Sequence, residues 1–228
     1  MLNKLQRRLR RMLPGSPDIR AYRRYRQYGM ALNHKIMDAT LDEAALTYAS
    51  RALGMMGRDR TLILDHESDF SVLMDYALYE YRSQGKNAVE RYREEIGGAN
   101  QIERELLDTM VVSSTSLFKI LSVSKKTYTI HLSDLVNEER TVTLMDINFS
   151  QGAKLDWLLF IRPVTFENWS MTSGMTLLFP GDMEDELLKQ WHRPQRRRKG
   201  RTRRNDQARR YETIFRLSRR RGVRVRYE

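Results

Sequence analysis

The chain has no cysteine. That absence removes disulfides, thiol nucleophiles and cysteine-based zinc sites together, and it suits a reducing compartment such as the cytoplasm. Histidine is sparse too: His34, His66, His131 and His192 are scattered, none three or four residues from another, so no histidine-rich metal site is expected. A glycine-rich phosphate loop, a nucleophile elbow and an HExxH pair are all missing. No apolar run approaches the roughly 20 residues of a membrane-spanning helix. No secretory apolar core is expected either, because the first residues alternate leucine with arginine. The sequence thus nominates no cofactor, no metal and no catalytic residue, and the expectation is a binding protein, not an enzyme.

The two ends also lack acid. Residues 1–26 hold nine Arg/Lys against Asp18, and residues 189–228 hold seventeen against Asp206, Glu212 and Glu228. The net +12 is therefore +8 and +14 at the ends around a body, residues 27–188, of −10. An acidic body with two arginine-rich ends points to a polyanionic partner and away from a small substrate.

Leu2, Leu5, Leu9 and Leu13 recur at helical spacing among Lys4, Arg7, Arg8, Arg10 and Arg11, a basic amphipathic helix stopped at Pro14-Gly15. Ser16-Pro17-Asp18 restarts a helix that carries Tyr22, Tyr25 and Tyr28 among Arg20, Arg23, Arg24 and Arg26. Thr40-Leu41-Asp42-Glu43 reads as a capping box for the next helix. Phe70, Leu73, Met74, Ala77, Leu78 and Tyr81 predict one continuous helix with a wide buried stripe. Asn87 opens another that Gly97-Gly98 ends, and Ile102, Leu106 and Met110 mark a fourth.

At Val111-Val112 the period changes. Short β-rich runs follow at 117–123, 128–132 and 140–144, then a nearly all-apolar run from Leu155 to Val164, ended by Pro163, and a fifth at 175–179. Five short strands in so little chain predict a compact barrel or rolled sheet. The fold class is therefore α+β: an N-terminal helical domain followed by a small antiparallel β-barrel or rolled sheet, with basic extensions at both ends. The expected divisions are a basic helical extension (1–33), a helical domain (34–113), a small β-rich domain (114–181), and a short acidic helix with an arginine-rich tail (182–228). Within that tail, Ala208, Tyr211, Ile214, Phe215 and Leu217 space a last helix, and Val223, Val225 and Tyr227 a terminal strand.

Asp75-Tyr76-Ala77-Leu78-Tyr79, Leu117-Phe118, Leu132-Ser133-Asp134-Leu135 and Leu158-Leu159-Phe160-Ile161-Arg162 carry a likeness. Through them the stretch 70–180 resembles uncharacterised bacterial proteins in which a helical segment precedes a small β-barrel-like cassette. The resemblance implies a fold and no activity. Some such proteins carry a cysteine-rich metal-binding tail, which this chain lacks.

The residues that could carry function are the arginines. Arg196, Arg197, Arg198, Lys199, Arg201, Arg203, Arg204, Arg209, Arg210, Arg219, Arg220 and Arg221 make the strongest candidate. Guanidinium groups bind phosphate bidentately and stack on bases, and arginine-rich segments that fold on binding suit structured RNA. Arg20, Tyr22, Arg23, Arg24, Tyr25 and Arg26 interleave cation and aromatic, which suits backbone neutralisation plus base stacking; the same spacing equally makes a packing stripe. RNA in a ribosomal or other ribonucleoprotein setting is the expected partner. DNA or a nucleoid role is the first alternative. The second is a membrane-surface or protein-docking adaptor using residues 1–13, a helix that also passes as a mitochondrial presequence. Asp65-His66-Glu67-Ser68-Asp69 reads as helix-start acid, not a metal cluster. Tyr128, His131, Trp157 and Trp169 have few arginines near them in sequence, so the barrel reads as scaffold or as a protein-docking surface. On this reading, removing 193–228 should cost RNA affinity heavily and flatten its salt dependence.

Overall fold

The computed structural model describes residues 19–193 and 206–223. The first basic helix (2–13), the arginine run 196–204 and the expected strand beyond Val223 lie outside the described residues.

Helix α1 (Ile19–Thr40) turns Tyr22, Gly29, Leu32 and Ile36 inward along one face. Gly29 sits mid-helix because Met171 passes close: a Cβ there would lie 3.3 Å from the Met171 Cε. Helix α2 (Glu43–Leu53) is capped by Asp42, whose carboxylate accepts the Ala45 N–H at 2.7 Å. The expected capping box is thus displaced by two residues, and the Thr40 hydroxyl instead closes α1 by donating to the Ile36 carbonyl. Helix α3 (Glu67–Asp75) runs into a π-helical turn, Tyr76–Glu80, all five of whose residues are buried. Helix α4 (Ala88–Glu95) opens with a full Asn87–Glu90 capping box, and α5 (Gln101–Val112) opens on Asn100.

The π-helical turn corrects the continuous stripe expected over 70–81. An extra residue in the turn rotates the residues after it by about 100°, so positions on its two sides no longer share a face. Leu73, Ala77 and Leu78 of the expected stripe are buried, but Phe70 is 50% exposed, and Val72, Tyr76, Tyr79 and Glu80 are buried outside it.

The second half is a closed five-stranded barrel in the order β1-β2-β3-β5-β4. Its strands are β1 (Ser116–Ser124), β2 (Thr129–Asp134), β3 (Thr141–Met145), β4 (Trp157–Thr165) and β5 (Ser170–Pro180), with a short helix α6 (Phe149–Gly152) between β3 and β4. All pairings are antiparallel except β3 with β5, which meet in parallel at Leu144 and Ser170. That parallel contact makes the expected antiparallel barrel a mixed one. A register shift at Leu121 lets one half of β1 pair with β4 and most of the strand with β2. This strand order is that of the OB-type Greek-key barrel.

Strand β4 is buried on both sides, as its apolar run implies. Leu159 and Ile161 face the barrel interior with Phe118, Ile120, Ile130, Leu132, Val142 and Leu144. Leu158 and Phe160 face outward onto the helices. Two boundary expectations fail. Pro163 does not end the strand but sits inside it at a register shift between Ile161 and Pro163, where a missing N–H is tolerated. Leu155 lies outside the strand and is 59% exposed.

A 3₁₀ turn (Gly181–Met183) leads into α7 (Glu184–His192), and α8 (Asp206–Arg221) closes the described chain. Helix α8 corrects the picture of a tail awaiting a partner. Its Ala208, Tyr211, Ile214, Phe215 and Leu217 lie in the same apolar core as Leu53, Leu73, Phe160 and Phe179. The Tyr211 hydroxyl donates to the Val72 carbonyl at 3.1 Å, and Tyr76 donates to the buried Glu212 carboxylate at 2.7 Å. Removing 193–228 would therefore strip a helix from the core as well as any arginine contact. Phe215→Ala should cost about 3–5 kcal/mol in urea unfolding; a loss under about 1 kcal/mol, the range of a surface change, would show that α8 does not complete the core.

Candidate nucleic-acid interface

One pole of the barrel gathers three loops beside α1. The β4–β5 loop holds Phe166 and Trp169, stacked with ring centroids 4.6 Å apart and closed by a Phe166 N–H to Trp169 carbonyl bond of 2.8 Å. Tyr25 of α1 meets both rings edge-on, at 4.8 and 5.8 Å, and Tyr22 meets Trp169 at 6.0 Å. The stretch 146–148 after β3 forms a cleft of about 440 Å³ against Tyr22, Arg23, Arg26, Gln27 and Met30. The β1–β2 turn joins the same pole: the Asp146 N–H donates to the Tyr128 carbonyl at 3.0 Å, and Lys125-Lys126 are exposed there.

Phe166, Trp169 and Tyr25 are half-buried, so an aromatic cluster reaches the surface between cations. Arg20, Arg23 and Arg24 are exposed along α1. Arg26 is half-buried and braces α1 to β5 by donating from Nη1 to the Thr172 carbonyl at 2.9 Å. Trp169 has few basic neighbours in sequence, yet α1 brings Tyr22 and Tyr25 to it, residues that stand among Arg20, Arg23, Arg24 and Arg26 along that helix. The arrangement offers planar apolar surface flanked by guanidinium groups, which suits stacked bases and neutralised phosphates.

Two of the candidate residues take other roles. Tyr22 is buried in the core, so it packs and does not stack on a ligand; burial raises its hydroxyl pKa, and the nearby Asp146 carboxylate adds to the rise. Tyr25 donates its hydroxyl to the Glu105 carboxylate, which fixes the ring edge-on to its neighbours and raises its pKa.

The arginines of α8 are largely committed to the body. Arg219 bridges Asp65 and Asp69, the latter at 3.5 Å, and Arg221 pairs with Glu186 at 2.5 Å. Arg210 lies over the Trp191 ring at 5.0 Å. Arg220 is exposed and Arg209 half-buried. The acids Asp65 and Asp69 are thus an anchor for α8, and among the described residues no group of three metal-ligating side chains forms. His131 stands exposed on the outer barrel face beside Thr143 at 3.2 Å.

A buried ionic centre holds this pole to the helices. Arg162 of β4 is 2% exposed. Its Nε and Nη2 donate to Asp75 at 3.2–3.3 Å, Nη2 also donates to Glu80 at 2.6 Å, and Nη1 donates to the Ser113 carbonyl at 3.2 Å. The guanidinium lies 4.1 Å over the Tyr79 ring, and the Ser173 hydroxyl donates to Asp75 at 2.5 Å. Burial alone would depress the Arg162 pKa, but the Asp75 and Glu80 carboxylates raise it overall, so the arginine stays charged. One guanidinium faces two carboxylates, and burial pushes the Glu80 carboxyl upward despite Arg162. Composition and spacing give no sign of this centre, although Asp75 and Arg162 both fall in the segments that carry the bacterial likeness.

Residues 16–228 match a family of unknown function, DUF7986, and the chain belongs to that family. No curated protein and no solved structure matches it significantly. Among the described residues no helix is long and apolar enough to cross a membrane.

Removing the arginine strands two buried carboxylates, so Arg162→Ala should cost about 3–5 kcal/mol in chemical denaturation. Glu80 gives a pH signature. Its folded-state pKa lies above the ordinary 4.5, so its contribution to stability is full below that value and is lost as pH rises through the folded-state pKa. Glu80→Gln should therefore gain on the parent protein as pH rises from below 4.5 to neutrality, measured by denaturation across that range. A stability difference independent of pH would count against a raised Glu80.

Proposed function

We propose that the protein is a non-enzymatic nucleic-acid-binding protein, a cytoplasmic ribonucleoprotein component that binds RNA along α1 and the neighbouring loop pole of the barrel. The observation that carries the reading is that Tyr25, flanked in α1 by exposed Arg23 and Arg24, meets Phe166 and Trp169, beside a cleft lined by Arg23 and Arg26. OB-type barrels bind oligonucleotides with their second and third strands and the loops after the first and fourth. Here the outer faces of β4 and β5 are covered by helices, while His131, Thr141 and the β1–β2 turn lysines remain exposed. Fold analogy raises the expectation, and the residues at the pole supply the chemistry.

In this reading a single-stranded stretch lies over the aromatic cluster and its phosphates pair with the α1 arginines. The arginine run 196–204 adds sequence-independent affinity. Arginine richness, with its capacity for bidentate phosphate contacts and stacking, favours folded RNA over duplex DNA as the larger ligand.

Direct binding of RNA across a salt series tests the proposal. Arg23→Gln with Arg24→Gln should weaken binding and reduce the slope of log affinity against log salt by about two, one for each phosphate no longer neutralised. Replacing Arg196, Arg197, Arg198, Lys199, Arg201, Arg203 and Arg204 with glutamine should weaken it further while leaving α8 in place. Trp169 emission should change on binding. An unchanged slope, equal preference for duplex DNA, or binding to anionic vesicles with none to RNA would each overturn it.

A further inference from the structure

Behind the Arg26 side of α1 lies a second cavity, of about 360 Å³, walled by α1, α3, α5 and the start of β5. Its lining is rich in thioether: Met30, Met37, Met74, Met110 and Met171 all contribute. Methionine adapts to irregular shapes and packs favourably against aromatic rings, so such walls accept a flat ring better than a branched aliphatic one. Met30 is 57% exposed and Phe70 lies at the same cavity, so the lining includes exposed apolar surface.

The cavity is not purely apolar. Tyr79 lines it and is only 4% exposed, yet its hydroxyl has no hydrogen-bond partner among the described residues. The Asn33 Oδ1, buried in the same wall, also lacks one. A buried hydroxyl and a buried amide oxygen left unpaired each carry a desolvation cost that a ligand could relieve. Asp75 is present too, but Arg162 and Ser173 already occupy its oxygens, so a cationic ligand gains little there. The unmet demand is for a donor to the Asn33 oxygen and a partner for the Tyr79 hydroxyl, which the polar edge of a base supplies.

The cavity adjoins the outer cleft through shared side chains. Arg26 and Met30 line both. Resting on the nucleic-acid reading, we infer that the cavity is a pocket for one unstacked nucleobase of the bound strand, with its phosphate left outside near Arg23 and Arg26. The base enters past Met30, lies between the methionines, and hydrogen-bonds by its polar edge to Tyr79 and Asn33. A cavity of about 360 Å³ is large enough for one base. Unpairing a base costs least in single strands and loops, which selects unpaired RNA over duplex.

Photocrosslinking the full chain to a 4-thiouridine-containing single-stranded RNA, with peptides mapped by mass spectrometry, tests the pocket. Crosslinks to Met74, Tyr79 or Met171 are expected in addition to those near Trp169. Tyr79→Phe keeps the ring and removes an unpaired hydroxyl, so thermal stability should hold or rise, while RNA affinity falls by about five- to tenfold. Bound RNA with crosslinks confined to Arg23, Arg24 and the β4–β5 loop would overturn the pocket and leave the interface standing. Failure of the parent chain to bind RNA at all would overturn both. The crosslink map uses the parent protein, so it decides the matter even if the Tyr79 variant folds poorly.

Discussion

The buried guanidinium of Arg162 is the interaction on which the rest of the structure depends. It projects from the barrel strand β4 and is met by Asp75 and Glu80 from the α3 helix and its π-helical turn, and by the Ser113 carbonyl at the end of α5. A charge in that position is costly unless it is fully paired, and pairing here requires the helices and the barrel to hold one relative position. Apolar packing could tolerate some sliding between the two halves. An arginine with its Nε, Nη1 and Nη2 donors all engaged specifies their register, and the Tyr79 ring under it closes the remaining face.

That fixed register gives the surface its composition. Helix α1 lies on α4 and α5, and its Arg26 reaches Thr172 of β5. The loops at the barrel pole are thereby held against the arginine-bearing face of α1. Neither partner suffices alone: the barrel pole is aromatic with few cations, and α1 is cationic with its tyrosines turned into packing. Together they make a mixed aromatic and basic surface beside the outer cleft. At the other end, α8 commits its apolar face to the core and much of its charge to Asp65, Asp69 and Glu186, so arginine count alone is a poor guide to what is presented outward.

Much of the fold was legible in the sequence because it rests on local signals. Asn87, the spacing of Ile102, Leu106 and Met110, and the alternation of 140–144 each act within a few residues and led to correctly placed elements. Where reading failed, a nonlocal term had overridden the local one. Pro163 reads as a strand end, but a bulge in the β4–β5 ladder has no use for its missing N–H. The pattern over 70–81 reads as one amphipathic stripe, but the π-helical turn buries all of Tyr76 to Glu80. Tyr22 reads as either ligand or core, and the choice fell to Trp169, a residue far along the chain.

By itself the sequence determined the class of the protein: helices, then a small barrel, acidic in the middle and basic at both ends, without cysteine. Composition and short-range periodicity suffice for that, because hydrophobic spacing, caps and net charge are properties of contiguous residues. Only the tertiary structure decided which arginines are presented and which are consumed. It brought Tyr25 to Phe166, made α8 part of the core, and buried Arg162 between two acids. Each of those outcomes depends on residues distant in sequence meeting in a low-dielectric interior, where the pairing of one charge outweighs many local preferences.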